Sequence, residues 1–297
     1  MLIGQTMTYS TGLHRALSRR MGKFIAPIWP GKIKDVTFIV GCPRSGTTIF
    51  GEILGQHPDF VYLFEPRYIW LHQKPSRNVW GMDASGKLHL DESDLDSQEQ
   101  KRLAQWFHFA LTLSGRRRLV EKLPLNVFRL RWIHAMFPQA KFIHIIRHGR
   151  DVALSLEKLI AKRFPPSYWE THWNYLMFED YASHIPEFYE CLAQVRQQPD
   201  NYPRALLVWL CSVWEGQQAG HEIGSQHYTE IRYEELIADP EAQLAKLFAF
   251  LSEPIDANTI AYAKDSLHPG SLHKVDPSPQ ITAAVASDML AKLGYNS

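Results

Sequence analysis

The chain has 297 residues, 45% hydrophobic and 21% charged, with 32 Lys and Arg against 31 Asp and Glu for a formal net charge of +1. This ordinary globular composition suffices for a full core, and the charge balance excludes a general attraction to nucleic acid or anionic membrane, so any anion site must be local. Three unpatterned cysteines (Cys42, Cys191 and Cys211) exclude a disulfide scaffold and fit a reducing, cytoplasmic setting.

No run approaches the ~20 apolar residues that span a bilayer. No apolar stretch of signal-peptide type follows the basic Arg15, Arg19 and Arg20. A soluble chain is the expectation. Residues 1–34 mix basic residues with Pro27, Pro30 and Gly31 and read as an N-terminal arm ahead of a domain at 35–297.

The first strong element is Val36-Thr37-Phe38-Ile39-Val40, apolar and β-branched as a strand buried on both faces should be. Gly41 and Gly46 bracket a turn. Ile49, Phe50, Ile53 and Leu54 then recur at helical spacing, and Gly55 to Pro58 stops the helix. Val61–Phe64 reads as a second short strand, ending at Glu65-Pro66. The polar stretch 74–98 reads as a long surface insertion, followed by a helix near 98–113. Leu119–Lys122 reads as a strand stopped near Pro124, and 126–136 has helical spacing. Lys141–Ile146 is the second clear buried strand, and Asp151 opens a helix with Val152, Leu156 and Leu159 on one face. Aromatic-rich helices fill 167–223, and Trp169, Trp173, Trp209 and Trp214 in them read as core. Tyr228–Arg232 is the last strand, and Asp239-Pro240 caps a helix at 241–251. Strands alternating with helices, with no linker between them, imply a single α/β domain. Its parallel sheet has about five strands, with helices on both faces.

The run Gly41-Cys42-Pro43-Arg44-Ser45-Gly46-Thr47-Thr48 lies between a strand and a helix. Backbone N–H groups in a tight glycine turn form an anion nest, and the helix N-terminus adds its dipole. The Gly-x4-Gly spacing matches a nucleotide triphosphatase loop, but Thr47 stands where such a loop carries lysine. The cation sits inside the loop instead, at Arg44, whose planar fork suits two oxygens of one phosphate.

Pro43-Arg44-Ser45-Gly46-Thr47-Thr48 resembles the 5′-phosphosulfate loop of sulfotransferases, in the arginine form of the carbohydrate and tyrosylprotein branches. The resemblance implies a P-loop-type fold. It also implies 3′-phosphoadenosine-5′-phosphosulfate (PAPS) as donor and 3′,5′-adenosine bisphosphate as product, and no metal is required if Arg44, Lys122 and backbone amides supply the positive charge. The run from Arg147 to Ser155, with Asp151 and Val152 inside it, is similar to the family's 3′-phosphate site. There a strand-end arginine and a helix serine share one phosphate. Ile231-Arg232-Tyr233-Glu234-Glu235 resembles the segment whose tyrosine lies against the nucleotide, which makes Tyr233 a cofactor contact. Lys274 falls where relatives carry a loop over the nucleotide.

For the chemistry, the resemblance implies Glu65 as the base that takes the acceptor proton, with His72 in reserve. Lys122, in Glu121-Lys122-Leu123-Pro124, joins Arg44 in neutralising the leaving phosphate. The fourteen histidines show no cysteine or carboxylate partners at metal-ligand spacing. The acceptor is a hydroxyl, with carbohydrate first and lipids or small metabolites second. Tyr68, Trp70 and Trp80 offer faces to a sugar ring or pack internally. Two other readings stay open: a P-loop ATP-dependent phosphotransferase, and a non-catalytic nucleotide-binding protein.

Overall fold

Strands that are apolar throughout need cover on both faces, and the chain supplies it with helices on each side of one sheet. The computed structural model describes residues 22, 25–31, 33, 35–71, 75–80, 86–163, 173–197, 201–272 and 279–295. In chain order they form β1 (Val36–Gly41), α1 (Thr47–Leu54), β2 (Phe60–Phe64), α2 (Arg67–Leu71), α3 (Ser97–Ser114), β3 (Arg118–Lys122) and α4 (Leu130–Met136). Then come β4 (Lys141–Ile146), α5 (Gly149–Arg163), α6 (Trp173–Ser183), α7 (Tyr189–Gln197), α8 (Asn201–Ile223) and β5 (Tyr228–Arg232). The last helices are α9 (Tyr233–Ala238), α10 (Pro240–Leu251), α11 (Ala257–Ser266) and α12 (Pro279–Lys292).

The five strands run in the order β2-β3-β1-β4-β5, and every pairing is parallel. Alternate strand residues face opposite cores. Phe38, Val40 and Phe142 pack with Phe107 and Trp209, while Ile39, Val120 and Ile143 pack with Phe50, Leu244 and Phe248. The chain leaves β1 towards β2 and β3 and then crosses to β4 on the other side. Open α/β sheets bind ligands at the carboxyl ends beside such a reversal.

Two expected segments differ. The stretch 126–136 is not one helix: a 3-10 turn, Pro124–Arg129, precedes α4, because Arg129 leaves helical geometry at φ −132°. The described part of the stretch 74–98 does not lie on the surface as a long insertion would. Its Val79, Trp80, Leu88 and Leu90 are buried. Arg129, fully buried, donates to the main-chain carbonyls of Arg77 at 2.9 Å, Lys87 at 3.0 Å and Leu88 at 3.3 Å. Arg77 in turn pairs with buried Glu99 of α3 at 3.0 Å. A guanidinium carries five donors, so one side chain can satisfy an irregular segment's carbonyls away from water.

Candidate active site

Strand register decides which residues meet. Phe64 lies opposite Lys122, Gly41 opposite Ile145, and Ile146 opposite Arg232. The β1–α1 loop, Glu65, Lys122, Arg147 and Tyr233 therefore emerge together along one edge of the sheet.

The loop's shape depends on two glycines. Gly46 has φ +93°, and a Cβ there would come within 2.4 Å of the Tyr233 ring. Gly41 has φ +142°, and its Cβ would meet the Ile145 carbonyl at 2.5 Å. The Thr47 and Thr48 amides open α1 and have no intrahelical acceptor. Ser45 is 1% exposed, and its Oγ has no hydrogen-bond partner among the described residues. An orphaned hydroxyl beside open amides at a helix start fits a phosphate oxygen. Burial pushes the Cys42 thiol up to about 12, so it is no nucleophile.

Three non-glycine residues have positive φ among the described residues: Arg44 at 77°, Glu65 at 40° and Ser252 at 56°. Ser252 caps a helix. The other two are candidate site residues, and backbone strain of this kind gathers where function over-determines geometry. From its strained position Arg44 Nε donates to Ser155 Oγ at 3.0 Å. Two residues read from the sequence as belonging to separate phosphate sites are thus joined directly.

Lys122 has a side chain with no exposure, yet its Nζ donates to Thr48 Oγ1 at 3.0 Å and to Glu65 Oε1 at 2.9 Å. The Nζ also lies 4.0 Å from the Phe64 ring centroid. Arg67 holds the other carboxylate oxygen, Oε2, at 2.6 Å. Burial alone would raise the Glu65 carboxyl, but Lys122 and Arg67 together outweigh it and hold it below the usual carboxylate value. Lys122 is lowered because its own burial outweighs the pull of Glu65.

Arg147 is 5% exposed, lies 3.4 Å from Asp151 Oδ2, and stacks 4.8 Å from the Tyr233 ring centroid. Trp209 Nε1 donates to its carbonyl at 2.9 Å. Tyr233 is itself buried, wedged between Gly46 and Arg147, so one ring lies against both the β1–α1 loop and the end of β4. Pro43 is half-buried in the loop. Lys274, His72, His273 and Trp169 lie outside the described residues.

Tyr68, Trp70 and Trp80 pack inward: Trp70 and Trp80 are buried, and Tyr68 meets Trp106 edge-on. Trp70 Nε1 donates to Glu121 Oε1 at 2.9 Å. His144 is buried and hydrogen-bonded to the Tyr228 hydroxyl at 2.7 Å, and burial lowers it to about 4. Among the described residues no three His, Cys, Asp or Glu converge as a metal site would require.

Sequence reasoning missed Arg67, whose signal was its place two residues after Glu65 across a proline. It also missed Tyr295. That residue follows the last helix and carries no local motif.

Comparison with known proteins bears on this geometry. A profile of the Sulfotransferase family matches residues 37–257. Protein-tyrosine sulfotransferase 1 of Danio rerio is 26% identical over 301 residues, covering 96% of this chain and 79% of that protein. Nodulation protein NoeE of Sinorhizobium fredii (strain NBRC 101917 / NGR234) is 25% identical over 233 residues, covering 73% of this chain and 49% of that protein. Among solved structures, the sulfotransferase domain of the curacin biosynthetic pathway superposes with a TM-score of 0.56 at 17% identity, covering 90% of this chain and 99% of that one. Sulfotransferase STF9 from Mycobacterium avium gives 0.54 at 14% identity, covering 96% and 83%. These two share the fold, and the profile spans most of the sheet and its site. The chain belongs to the sulfotransferase family and is an enzyme of sulfuryl transfer.

Proposed function

We propose that the enzyme transfers the sulfuryl group of PAPS to an acceptor hydroxyl, with Glu65 as the base. The observation that carries this is the Thr48–Lys122–Glu65 chain of contacts. It puts a carboxylate and a desolvated ammonium directly beside a phosphate-shaped loop. When bound, the donor supplies a sulfuryl group already activated by a phosphate leaving group. The loop amides, Ser45, Thr47 and Thr48 hold its 5′ end, with Pro43 and Gly46 shaping the turn. Arg147 and Ser155 hold the 3′-phosphate, and Tyr233 supports both. Glu65 takes the acceptor proton on a carboxylate oxygen. Lys122 Nζ and Arg44 offset charge gathering on the phosphate side, where preorganised cations act most strongly. Lys274 is the candidate for cover over the nucleotide. Three buried, unpaired thiols among the described residues support a reducing, cytoplasmic setting.

The acceptor follows from the base. A carboxylate paired on both oxygens, with Arg67 and with Lys122, is a weak proton acceptor. A phenol, with a pKa of about 10, releases its proton far more readily than an aliphatic alcohol. Burial of Trp70 and Trp80 also leaves those two rings packed internally rather than open to a sugar. A tyrosine side chain is therefore the first acceptor, consistent with the named activity of the Danio rerio relative, and a carbohydrate hydroxyl the second. Radiolabelled PAPS with tyrosyl peptides, oligosaccharides and small alcohols tests this. Label transfer to peptide supports the phenol, transfer to sugar reassigns the acceptor, and no transfer with any hydroxyl sinks the activity.

A further inference from the structure

The nucleotide side of the sheet is tied together by a residue far from every recognised motif. Tyr295, three residues beyond α12, sends its hydroxyl to Glu234 Oε2 at 2.8 Å. The other oxygen of that carboxylate, Oε1, accepts from the His148 main-chain N–H at 2.9 Å. The Tyr295 ring lies 4.7 Å from the His148 ring, centroid to centroid, and the Arg232 guanidinium sits 5.2 Å from its centroid. Arg232 also donates to the Leu293 carbonyl. His148 follows Arg147, and Glu234 follows Tyr233. The contacts of Tyr295 therefore bridge the carboxyl ends of β4 and β5, where Arg147 and Tyr233 stack on each other.

We propose that Tyr295 is a positioning residue for recognition of the nucleotide's 3′-phosphate, clamping the Arg147-His148 turn to the Tyr233-Glu234 turn. This rests on the reading of Arg147 and Ser155 as the 3′-phosphate site. The clamp bears on β4 and β5, whereas the 5′ end is held by the β1–α1 loop. Loosening the clamp must therefore weaken one phosphate more than the other. A residue that only stabilised the fold would lower affinity for both ends of the nucleotide together.

The test is calorimetric titration of the full chain and of Tyr295→Phe and Tyr295→Ala with 3′,5′-adenosine bisphosphate and with 5′-AMP, alongside melting temperatures. The wild type prefers the bisphosphate. Tyr295→Ala weakens bisphosphate binding about tenfold and 5′-AMP binding far less, so the preference shrinks; a tenfold change is about 1.4 kcal/mol. Tyr295→Phe keeps the ring contacts, loses the Glu234 bond, and falls between. Equal losses for both ligands, or an unchanged preference in Tyr295→Ala, overturn the clamp. A wild type with no preference for the bisphosphate overturns the 3′-phosphate reading beneath it.

Discussion

Glu65, the proposed base, is also a structural residue. Its φ of 40° turns the chain out of β2, and its amide donates to the Lys122 carbonyl at 2.8 Å, so backbone and side chain are both tied to β3. Glu65→Gln keeps that shape and removes the proposed base. Turnover should fall by at least about 10²-fold, with affinity for 3′,5′-adenosine bisphosphate nearly unchanged. A variant with normal turnover removes Glu65 from the mechanism. Arg67 tunes the same carboxylate from the solvent side. Arg67→Gln takes away a charge that lowers the Glu65 pKa, so the acid limb of the kcat/KM profile should move to higher pH. A limb that stays in place would show that this carboxylate does not limit the acid side.

Glu121 and Lys122 are sequence neighbours on β3 that face opposite ways. Lys122 enters the site, while Glu121 is fully buried among Trp70 and Asn126, and burial pushes its carboxyl up to about 8. The sign follows from linkage. Between the ordinary carboxylate pKa, about 4.3, and about 8, the folded chain keeps a proton that the unfolded chain releases, so this residue's contribution declines as pH rises through that window. Glu121→Gln has no such proton to lose. Its stability relative to wild type should grow from pH 5 to pH 8 in urea unfolding, and a difference independent of pH contradicts the assignment.

Elements differ in how far their sequence announces them. The buried strands β1 and β4 were legible because each is an apolar run too short for a core helix and too hydrophobic for a loop, with turn residues at its end. The strand β5 came out at its observed ends, Tyr228 and Arg232. The phosphate loop was legible because its glycines perform a backbone task that only they can do. The segment 74–98 was not legible. Its anchor, Arg129, lies some forty residues downstream, and polar composition cannot reveal that distant guanidinium. Arg129→Met leaves the buried carbonyls of Arg77 and Leu88, and the Lys87 carbonyl, without their donor. Such a loss should cost about 3 kcal/mol in thermal or urea unfolding. A loss under about 0.5 kcal/mol would mean that water reaches those carbonyls.

At the scale of the whole molecule, the site is a product of sheet order. The loop, Glu65, Lys122 and Arg147 come from four different strand ends: β1, β2, β3 and β4. Parallel pairing puts those ends at one edge, and Tyr233 at the end of β5 closes the row. The family resemblance pointed to Arg44, Glu65, Lys122, Arg147, Ser155 and Tyr233 as candidates. It could not show that Arg44 reaches Ser155, or that Tyr233 braces the loop, because those contacts cross between elements.

If the β1–α1 loop and Arg147 hold the two ends of one nucleotide, titrating wild type and Arg147→Ala with 3′,5′-adenosine bisphosphate and with 5′-AMP separates the two sites. The variant should lose bisphosphate affinity by at least about 10²-fold, the scale of a lost charge-assisted pair, while 5′-AMP affinity changes little. Equal losses for the two ligands would contradict it.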